Sequence, residues 1–496
     1  MALSPERIYS IGRDLTAFAP RIPGTASMDG AASYLRHFME RLGMEVRMEP
    51  VDFMGVFFRS WSFIPGGPGT EEIPSFPQNN SATGDVEAEI VSVGKGRERD
   101  YRGKDVRGKI VLADWGTLHD NEIPCGLGKR YPLLAAYDRA VERGAAAMAG
   151  FFSDAPGNAL KLMEPGIRPV GGSNVPGSCE DPTDGRFLLP VLCIGRKDGL
   201  ALAGRLSKGK VVGRVRVDAA RKASRTNTII GFLPGTGNRA VAVGAHYCTA
   251  FEGAVCDTGG TAGALALAEH WAALPRSKRK TSLYFIFSGS HVWINCNISS
   301  RNFIRNNPGA AGNLSAMLWM DHITAPARRA GWRRLFRPGT VLLSMNPVMC
   351  LFAFLSLLKN RKMPRLLPLS RLWTLCEMGP FDCAGVPSLS LQVGDPVMLT
   401  TEDTWDRIDP GELAADTGFY LDMIRFLQKT PRWLVRLFEV PGRSLFGCGT
   451  LFRDADMPRC EHYQPEPSLP LYRGGETGPV EAGPASFSSN NGRDIP

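Results

Sequence analysis

The C-terminal half of the chain alternates short apolar runs with segments of helical spacing. Apolar runs cover residues 240–247, 281–290, 316–323 and 387–394, and a helical pattern covers residues 260–273. The run at 281–290 is almost continuously apolar, as expected of a strand in a sheet that is covered on both faces. Strands that alternate with helices predict an α/β fold with a mostly parallel sheet flanked by helices.

Two changes in composition divide the chain. Residues 65–85 are rich in proline and glycine, which indicates a boundary, and residues 86–222 then alternate short β-rich runs with one clear helix. After residue 438 the chain becomes rich in proline, glycine and serine, which is typical of a poorly ordered tail. The sequence therefore predicts a discontinuous main domain of residues 1–85 and 223–438, an inserted smaller α/β or β-rich domain of residues 86–222, and a partly disordered C-terminal extension of residues 439–496.

Residues 341–358 are apolar over almost the length that spans a bilayer. The pair Asn346-Pro347 interrupts this segment, and the basic sequence KNRK follows it. We interpret it as a buried strand and a helix that begins at the proline, and we expect no transmembrane segment; contact with a membrane is the alternative. Residues 1–13 lack the apolar core of a signal peptide, which favours a cytoplasmic location.

Composition narrows the choice of partners. The chain has 496 residues, of which 43% are hydrophobic and 22% charged, and its formal net charge is +9; these values are typical of a soluble globular protein with more than one domain. The basic residues cluster in short runs, which we interpret as solvated faces, and we expect no nucleic-acid partner. The eleven cysteines include no CxxC pair, which argues against both a disulfide framework and a zinc knuckle.

Polar side chains stand where the predicted strands end. His246 lies near the end of the first of the four runs, Ser290 and His291 lie at the end of the second, and Asp321 lies near the end of the third, while Asp257 lies just before the predicted helix. Since ligands of an α/β sheet collect outside the carboxyl ends of its strands, this arrangement indicates a metal site.

Five short sequences occur in a characteristic order: HYC at 246–248, DTGGT at 257–261, FSGSH at 287–291, WMD at 319–321 and MLTTEDTWDRID at 398–409. Together they resemble the zinc aminopeptidases of the M28 family, and the middle of the chain resembles a protease-associated domain, a common insert in that family. The resemblance implies a phosphorylase/zinc-exopeptidase-like α/β fold with an inserted protease-associated domain.

In that family two zinc ions share one bridging carboxylate. The resemblance places His246 at the first histidine ligand, Asp257 at the bridging carboxylate and Asp321 at a carboxylate ligand of the second ion. His291 stands where the family has a glutamate ligand and remains able to bind a metal. Leu399 stands where the family has its last histidine ligand, and an alkyl side chain cannot bind an ion.

Two further positions depart from the family. Ser290 replaces the glutamate that acts as general base, and Cys248 replaces the carboxylate that orients the first histidine. His322 is a candidate substitute base, although the alternation of side chains along a strand would point it away from Asp321. Cys256 and Cys248 flank the site, so a set of soft ligands with His246 is a second interpretation of the metal site.

These departures imply at most one zinc ion, held by His246, Asp257 and His291, or none. We therefore expect a protein that is inactive or impaired in two-zinc peptide hydrolysis and is retained as a binding or scaffold module. The alternative is an active metallo-hydrolase that uses a single metal and a non-standard base. The expected partner is a peptide or small amide in the cleft, or another protein.

Overall fold

The computed structural model describes residues 3–67, 69–79, 81–116, 132–162, 188–294, 298–324, 336–344, 346–359, 363–365, 377–393, 395–437 and 463–472. Its strands are β1 Glu45–Ile64, β2 Ser75–Pro77, β3 Gly84–Ser92, β4 Ile110–Asp114, β5 Ala147–Phe151, β6 Val191–Ile194, β7 Val212–Leu233, β8 Ala240–His246, β9 Ser282–Ser288, β10 Leu314–Trp319, β11 Phe336–Leu343, β12 Met363–Arg365 and β13 Ser388–Val393. Its helices are α1 Pro5–Thr16, α2 Ala26–Arg41, α3 Pro132–Glu142, α4 Arg196–Leu206, α5 Gly259–Ala272, α6 Ile298–Asn306, α7 Pro308–Asn313, α8 Pro347–Lys359, α9 Met378–Cys383, α10 Pro410–Lys429 and α11 Arg432–Val435.

The strands follow the order β12-β11-β13-β10-β8-β9-β7-β3-β4-β5-β6-β2, and β1 pairs with β7. Four central strands run parallel to one another, in the order β13-β10-β8-β9. On either side of this group, β11 pairs antiparallel with β13 and β7 pairs antiparallel with β9. The predicted α/β class is confirmed, and the sheet is mixed. Because the four central strands are parallel, their carboxyl ends lie at one edge.

The central sheet is covered on both faces, as the apolar run of β9 predicted. Phe285 and Phe287 pack in a cluster that includes the apolar residues of α1, α2, α5 and α10. Ile286 points to the other face, where it packs in a cluster with Phe303 of α6 and Phe381 of α9. Burial on both faces explains why the strand is apolar at consecutive positions.

The predicted insert contributes β3 to β6 together with α3 and α4. The 22-residue strand β7 joins these strands to the central sheet, since its first residues, 212–217, pair with β3 and its last residues, 229–233, pair with β9. A separate apolar cluster, with Trp115 and Tyr137 among its members, lies in this part of the chain. The predicted strands and helix are therefore present, and the proposed domain boundaries remain a prediction.

Residues 463–472 are the described part of the C-terminal extension, and they pack on the N-terminal part of the chain. The backbone of Glu466 bonds to those of Gly24 and Ala26, and the Tyr463 hydroxyl donates to Asp29. The rest of the predicted disordered tail lies outside the described residues. Cys383 is in a disulfide, whereas four other described cysteines are not disulfide-bonded: Cys193, Cys248, Cys256 and Cys350.

The apolar segment 341–358 contains the end of β11 and most of α8, as predicted. Asn346 caps the helix by accepting a hydrogen bond from the Met349 N–H. Our expectation that the helix is buried was wrong for one face, because Leu351, Leu355 and Leu358 are exposed. Among the described residues, no helix has both the length and the apolar character needed to cross a membrane.

Candidate metal centre

The sheet brings most of the predicted site residues together at one edge. His246 is the last residue of β8, and the neighbouring strands β9 and β10 end just before Ser290 and Asp321. These side chains, and that of His291, are buried. The site lies outside the carboxyl ends of parallel strands, as the sequence predicted.

Two backbone contacts and one carboxylate hold His246. Its Nδ1 lies 3.0 Å from the Cys248 carbonyl oxygen, and its own carbonyl accepts a hydrogen bond of 2.8 Å from the Thr261 hydroxyl. Nε2 lies 3.2 Å from Asp321 Oδ1. Donation from Nδ1–H to the carbonyl leaves the Nε2 lone pair available to a metal. Burial, together with the charge of His291, lowers the pKa of His246 to about 3, so the imidazole is neutral at pH 7.

Cys248, which stands where the M28 family has an orienting carboxylate, contacts His246 more closely through its backbone carbonyl than through its thiol. Its thiol lies 3.8 Å from His246 Nδ1, farther than its carbonyl oxygen, and accepts a hydrogen bond from the Val292 N–H at 3.3 Å. Burial raises the pKa of the Cys248 thiol to about 11. The backbone carbonyl can therefore replace the carboxylate that orients this histidine in the M28 family.

Glu377 is a site residue that the sequence analysis missed. Its Oε1 lies 2.7 Å from His291 Nδ1, while its Oε2 is buried and has no hydrogen-bond partner among the described residues. Burial raises the pKa of this carboxyl group. The sequence contained one indication of this residue. Residues 322–376 include no aspartate or glutamate, so Glu377 is the first acidic residue after a long apolar and basic stretch of sequence. A carboxylate in this position fixes the orientation of the histidine ring.

His322 points into the site, contrary to our expectation from strand alternation. Strand β10 ends at Trp319, and His322 has a φ of 52°, so the alternation no longer applies. Its Nε2 lies 3.2 Å from Asp321 Oδ1, without the geometry of a hydrogen bond. Its ring is nearly perpendicular to that of His246, at an angle of 88°.

Asp257 faces the turn that follows it. Its Oδ1 accepts hydrogen bonds from the backbone N–H groups of Gly260, at 3.0 Å, and His322, at 3.2 Å. Its Oδ2 is buried and accepts no hydrogen bond within the described chain. Burial, together with the charge of Asp321, raises the pKa of Asp257 well above its ordinary value. The pKa of Asp321 shifts the other way. Burial alone would raise it, but the nearby histidines have the larger effect and lower it.

Two groups of three side chains have potential ligand atoms within 4.8 Å of one another in the described residues. One is His246, His291 and Asp321, and the other is His246, Cys256 and His322. Asp257 belongs to neither group. The second group matches the soft-ligand interpretation in part, since it contains His246 and Cys256 but has His322 in place of Cys248.

The donor atoms are of the kinds that bind zinc. Imidazole nitrogen, thiolate sulfur and carboxylate oxygen are the usual ligands of zinc. In addition, Asp257 Oδ2 and Glu377 Oε2 are buried carboxylate oxygens that accept no hydrogen bond from the described residues. The rings of His246 and His291 stack face to face, with centroids 4.0 Å apart and planes 4° apart. Because an ion lies near the plane of each imidazole that binds it, these two rings do not both point at one ion. The perpendicular pair His246 and His322 is better suited to a tetrahedral site.

The two residues that the resemblance assigns to the general base and to the last histidine ligand, Ser290 and Leu399, are both buried. Ser290 Oγ lies 3.1 Å from Ser299 Oγ and 3.4 Å from Ser288 Oγ, so its hydroxyl joins a group of serines. Leu399 has a φ of 60°, and its carbonyl accepts a hydrogen bond of 2.9 Å from Leu162 in the predicted insert. Neither side chain supplies what the M28 family has at that position.

Two further residues hold the segments around the site. The buried Asp403 carboxylate accepts hydrogen bonds from the N–H groups of Val255, at 2.7 Å, and Cys256, at 3.2 Å. The buried Arg21 donates to the Tyr247 carbonyl and to the Thr258 hydroxyl. These bonds fix the residues that adjoin His246 and Asp257.

Solved structures of aminopeptidases share this fold. The M28 peptidase precursor from Shewanella amazonensis SB2B aligns over 86% of this chain and 93% of its own, with 16% identity and a TM-score of 0.65. BSAP, a zinc aminopeptidase from Bacillus subtilis, aligns over 84% and 94%, with 17% identity and a TM-score of 0.62. The aminopeptidase from Aneurinibacillus sp. strain AM-1 aligns over 84% and 93%, with 21% identity and a TM-score of 0.55. No protein-family profile and no curated protein matches the sequence. The chain therefore has the fold of the M28 zinc aminopeptidases.

Proposed function

We propose that this protein binds no more than one zinc ion in an aminopeptidase-like cleft and does not catalyse two-zinc peptide hydrolysis. Its cleft is retained as a binding module, and its partner is a peptide, a small amide or a segment of another protein. The proposal rests on the M28-type fold together with the side chains that occupy its site.

The observation that carries the proposal is the surroundings of Ser290. General-base assistance in hydrolysis requires a group that accepts a proton near neutral pH, and it contributes roughly 10²–10⁴-fold to the rate. Ser290 offers a hydroxyl whose nearest polar neighbours include two other serine hydroxyls. A hydroxyl does not take up a proton near pH 7, so this position does not provide a base.

The metal side of the site supports the same conclusion. A second ion would need ligands on the far side of Asp257, where Leu399 supplies an alkyl group. The Leu399 carbonyl accepts a hydrogen bond from the Leu162 N–H, and the resemblance to the M28 family assigns this residue to the position of the missing ligand. Two adjacent dications repel each other strongly, so the weaker position loses its ion first.

The test is hydrolysis of aminoacyl anilides by zinc-loaded protein. We expect turnover at background for the wild type and for Ser290→Ala, and a measurable increase for Ser290→Glu, which restores the carboxylate. Wild-type turnover within tenfold of the usual enzyme range, roughly 1–10³ s⁻¹, would contradict the proposal.

One observation favours the alternative, a hydrolase with a single metal. Glu377 places a buried carboxylate oxygen without a hydrogen-bond partner among the described residues beside His291. If this site held a zinc ion, the ion would supply activation of a water molecule, and the Glu377 carboxylate would be the group that accepts the proton. If the wild type hydrolyses an amide, Glu377→Gln should abolish the activity and Ser290→Ala should preserve it. Equal activity of Glu377→Gln and wild type would exclude this alternative.

A further inference from the structure

Two buried thiols flank the His246 ring, one beside each ring nitrogen. The Cys248 thiol lies 3.8 Å from Nδ1, the nitrogen that also faces the Cys248 carbonyl oxygen at 3.0 Å. The Cys256 thiol lies 3.9 Å from Nε2. Since donation from Nδ1–H to the carbonyl leaves the lone pair on Nε2, Cys256 is the thiol on the side where His246 can bind a cation.

His322 completes a set of three donor atoms with these two residues. The potential ligand atoms of His246, Cys256 and His322 all lie within 4.8 Å of one another. Nε2 of His322 is buried and makes no hydrogen bond within the described chain, although a carboxylate oxygen of Asp321 lies 3.2 Å away. A buried polar atom without a hydrogen bond needs another partner, and a cation held with the neighbouring thiol and imidazole supplies one.

The separations of these atoms are close to those of ligands around one ion. In a tetrahedral zinc site, with bonds of about 2.0–2.3 Å, neighbouring ligand atoms lie about 3.3–3.6 Å apart. From His246 Nε2 the distance is 3.9 Å to Cys256 Sγ and 3.2 Å to Asp321 Oδ1. Both distances differ from the expected range by a few tenths of an ångström, which small side-chain rotations would remove.

The turn before α5 separates the thiol of Cys256 from the carboxylate of Asp257. Oδ1 of Asp257 accepts hydrogen bonds from the backbone N–H groups of Gly260 and His322. The Cys256 N–H donates to the buried Asp403 carboxylate at 3.2 Å. These bonds hold the turn so that the thiol lies beside the donor set, while the carboxylate caps the start of α5.

We propose that Cys256 is a metal ligand, and that His246, Cys256 and His322 bind one zinc ion. The inference rests on the single-ion site of the proposed function, and it gives Cys256 the place that the sequence analysis gave to Asp257. Binding replaces the S–H bond of the thiol by a sulfur–metal bond, and the proton passes to solvent. A thiolate in the ligand set favours zinc over Mg²⁺ and Ca²⁺, which prefer oxygen ligands.

The contacts of His246 argue against a nucleophilic role for Cys256. In a catalytic triad the nucleophile and the carboxylate contact opposite nitrogens of the imidazole. Here Cys256 Sγ and Asp321 Oδ1 both lie beside Nε2, whereas Nδ1 faces a backbone carbonyl. The Cys256 side chain is also buried, which limits the access of a substrate. Donor atoms that converge on one nitrogen are the arrangement of a ligand set.

The test is titration of the metal-free full chain with Co²⁺, a spectroscopic substitute for zinc. We expect one equivalent of Co²⁺ to produce a thiolate-to-cobalt charge-transfer band in the near ultraviolet. Added zinc should remove this band, and a large excess of Mg²⁺ should leave it unchanged. X-ray absorption by the zinc-loaded wild type, which requires no variant, should show one sulfur atom at about 2.3 Å from the ion.

Two serine substitutions form a matched pair, because each replaces a buried thiol beside the same imidazole. Cys256→Ser should abolish the charge-transfer band and weaken zinc binding at least about tenfold, since a hydroxyl is a poorer ligand than a thiolate. Cys248→Ser should keep the band. Asp257→Asn should keep it as well, because the amide oxygen can still accept from Gly260. Near-ultraviolet circular dichroism of each variant should match that of the wild type.

Three outcomes would overturn the inference. Cobalt binding without a charge-transfer band, or a zinc ion surrounded by nitrogen and oxygen alone, would assign the ion to the other group, His246, His291 and Asp321. Loss of the band in Cys248→Ser but not in Cys256→Ser would assign the wrong thiol. Failure of the wild type to bind either cobalt or zinc would leave Cys256 without this role. The proposed function fails on different evidence, namely two bound ions or peptide hydrolysis by the wild type, whichever thiol the band depends on.

Discussion

The imidazole rings of His246 and His291 lie face to face, with their centroids 4.0 Å apart. Stacked rings direct their nitrogen lone pairs along nearly parallel planes, so one ion cannot lie in the plane of both. His322 is nearly perpendicular to His246, and a carboxylate oxygen of Asp321 lies 3.2 Å from Nε2 of each of these two rings. The arrangement favours one ion bound through His246 and His322, with His291 held aside by Glu377.

We therefore expect zinc to saturate at no more than one ion per chain. His246→Ala and His322→Ala should each weaken zinc binding by at least about 100-fold, since the loss of a ligand exceeds the 10–100-fold effect of its supporting residues. His291→Ala should weaken it by less than about tenfold. Competition with a chromophoric chelator measures all three constants. Saturation at two ions, or a larger effect of His291→Ala than of His322→Ala, would refute this assignment.

Gly260 should be intolerant of a side chain. A Cβ atom there would lie 2.0 Å from the Met320 carbonyl oxygen and 2.4 Å from Asp257 Oδ1. Overpacking of a buried site costs about 1–3 kcal/mol, so Gly260→Ala should lower the free energy of unfolding by about that amount and displace the Asp257 carboxylate. Gly418→Ala in α10 is the matched control, because its added Cβ meets no described atom within 4 Å beyond its chain neighbours and the adjacent backbone of its own helix. Equal stability of the two variants by chemical denaturation would contradict this explanation.

The fold could be predicted from the sequence because the spacing of apolar residues follows which positions are buried. Strand β9 is buried on both faces, so its sequence is an uninterrupted apolar run. It predicted that His246, Asp257 and Asp321 lie near one another, because each stands at a fixed place beside a strand or helix; their role as metal ligands stays a prediction. It did not reveal the Glu377 contact with His291, which joins residues 86 positions apart through folding alone. Strand alternation misplaced His322, because the chain turns to a positive φ after β10 and the rule no longer holds. The sequence also did not reveal the exposed face of α8. Hydropathy measures how apolar a segment is and predicts burial from that, but this helix carries leucines on its exposed face as well.

Arg21 should be essential for stability. It is fully buried and donates to the Leu15 carbonyl, the Tyr247 carbonyl and the Thr258 hydroxyl. Burial lowers the pKa of the Arg21 guanidinium to about 10, so it remains charged at pH 7. A hydrogen bond to a charged group contributes about 1.5–3 kcal/mol, and Arg21→Met should therefore lower the free energy of unfolding by about 3 kcal/mol or more. Arg36→Met, at an exposed position paired with Glu40, should change it by less than about 1 kcal/mol. A stable Arg21→Met variant would show that these acceptors find other partners.

Asp403 should make the stability of the protein depend on pH. Burial raises the pKa of its carboxyl group to about 7, although the N–H groups of Val255 and Cys256 act in the opposite direction. The ordinary value of an aspartate is about 3.9. A raised pKa in the folded state means that the folded chain binds the proton more tightly than the unfolded chain does. The contribution of this group is therefore fully present below about pH 4, and it is lost as the pH rises to about 7.

The total change expected from Asp403 is about 4 kcal/mol, since each pKa unit corresponds to about 1.4 kcal/mol. Other groups titrate in the same range, so the measured quantity is the difference in unfolding free energy between wild type and Asp403→Asn at each pH. The wild type should lose stability relative to Asp403→Asn between about pH 4 and pH 7, and the difference should be constant above that range. The exposed Asp406 provides the control, because Asp406→Asn removes a carboxylate of the same loop. A constant difference in unfolding free energy between wild type and Asp403→Asn from pH 4 to pH 7 would contradict this prediction. It would show that Asp403 is ionised throughout this range, because the two backbone N–H groups that donate to it stabilise its charge.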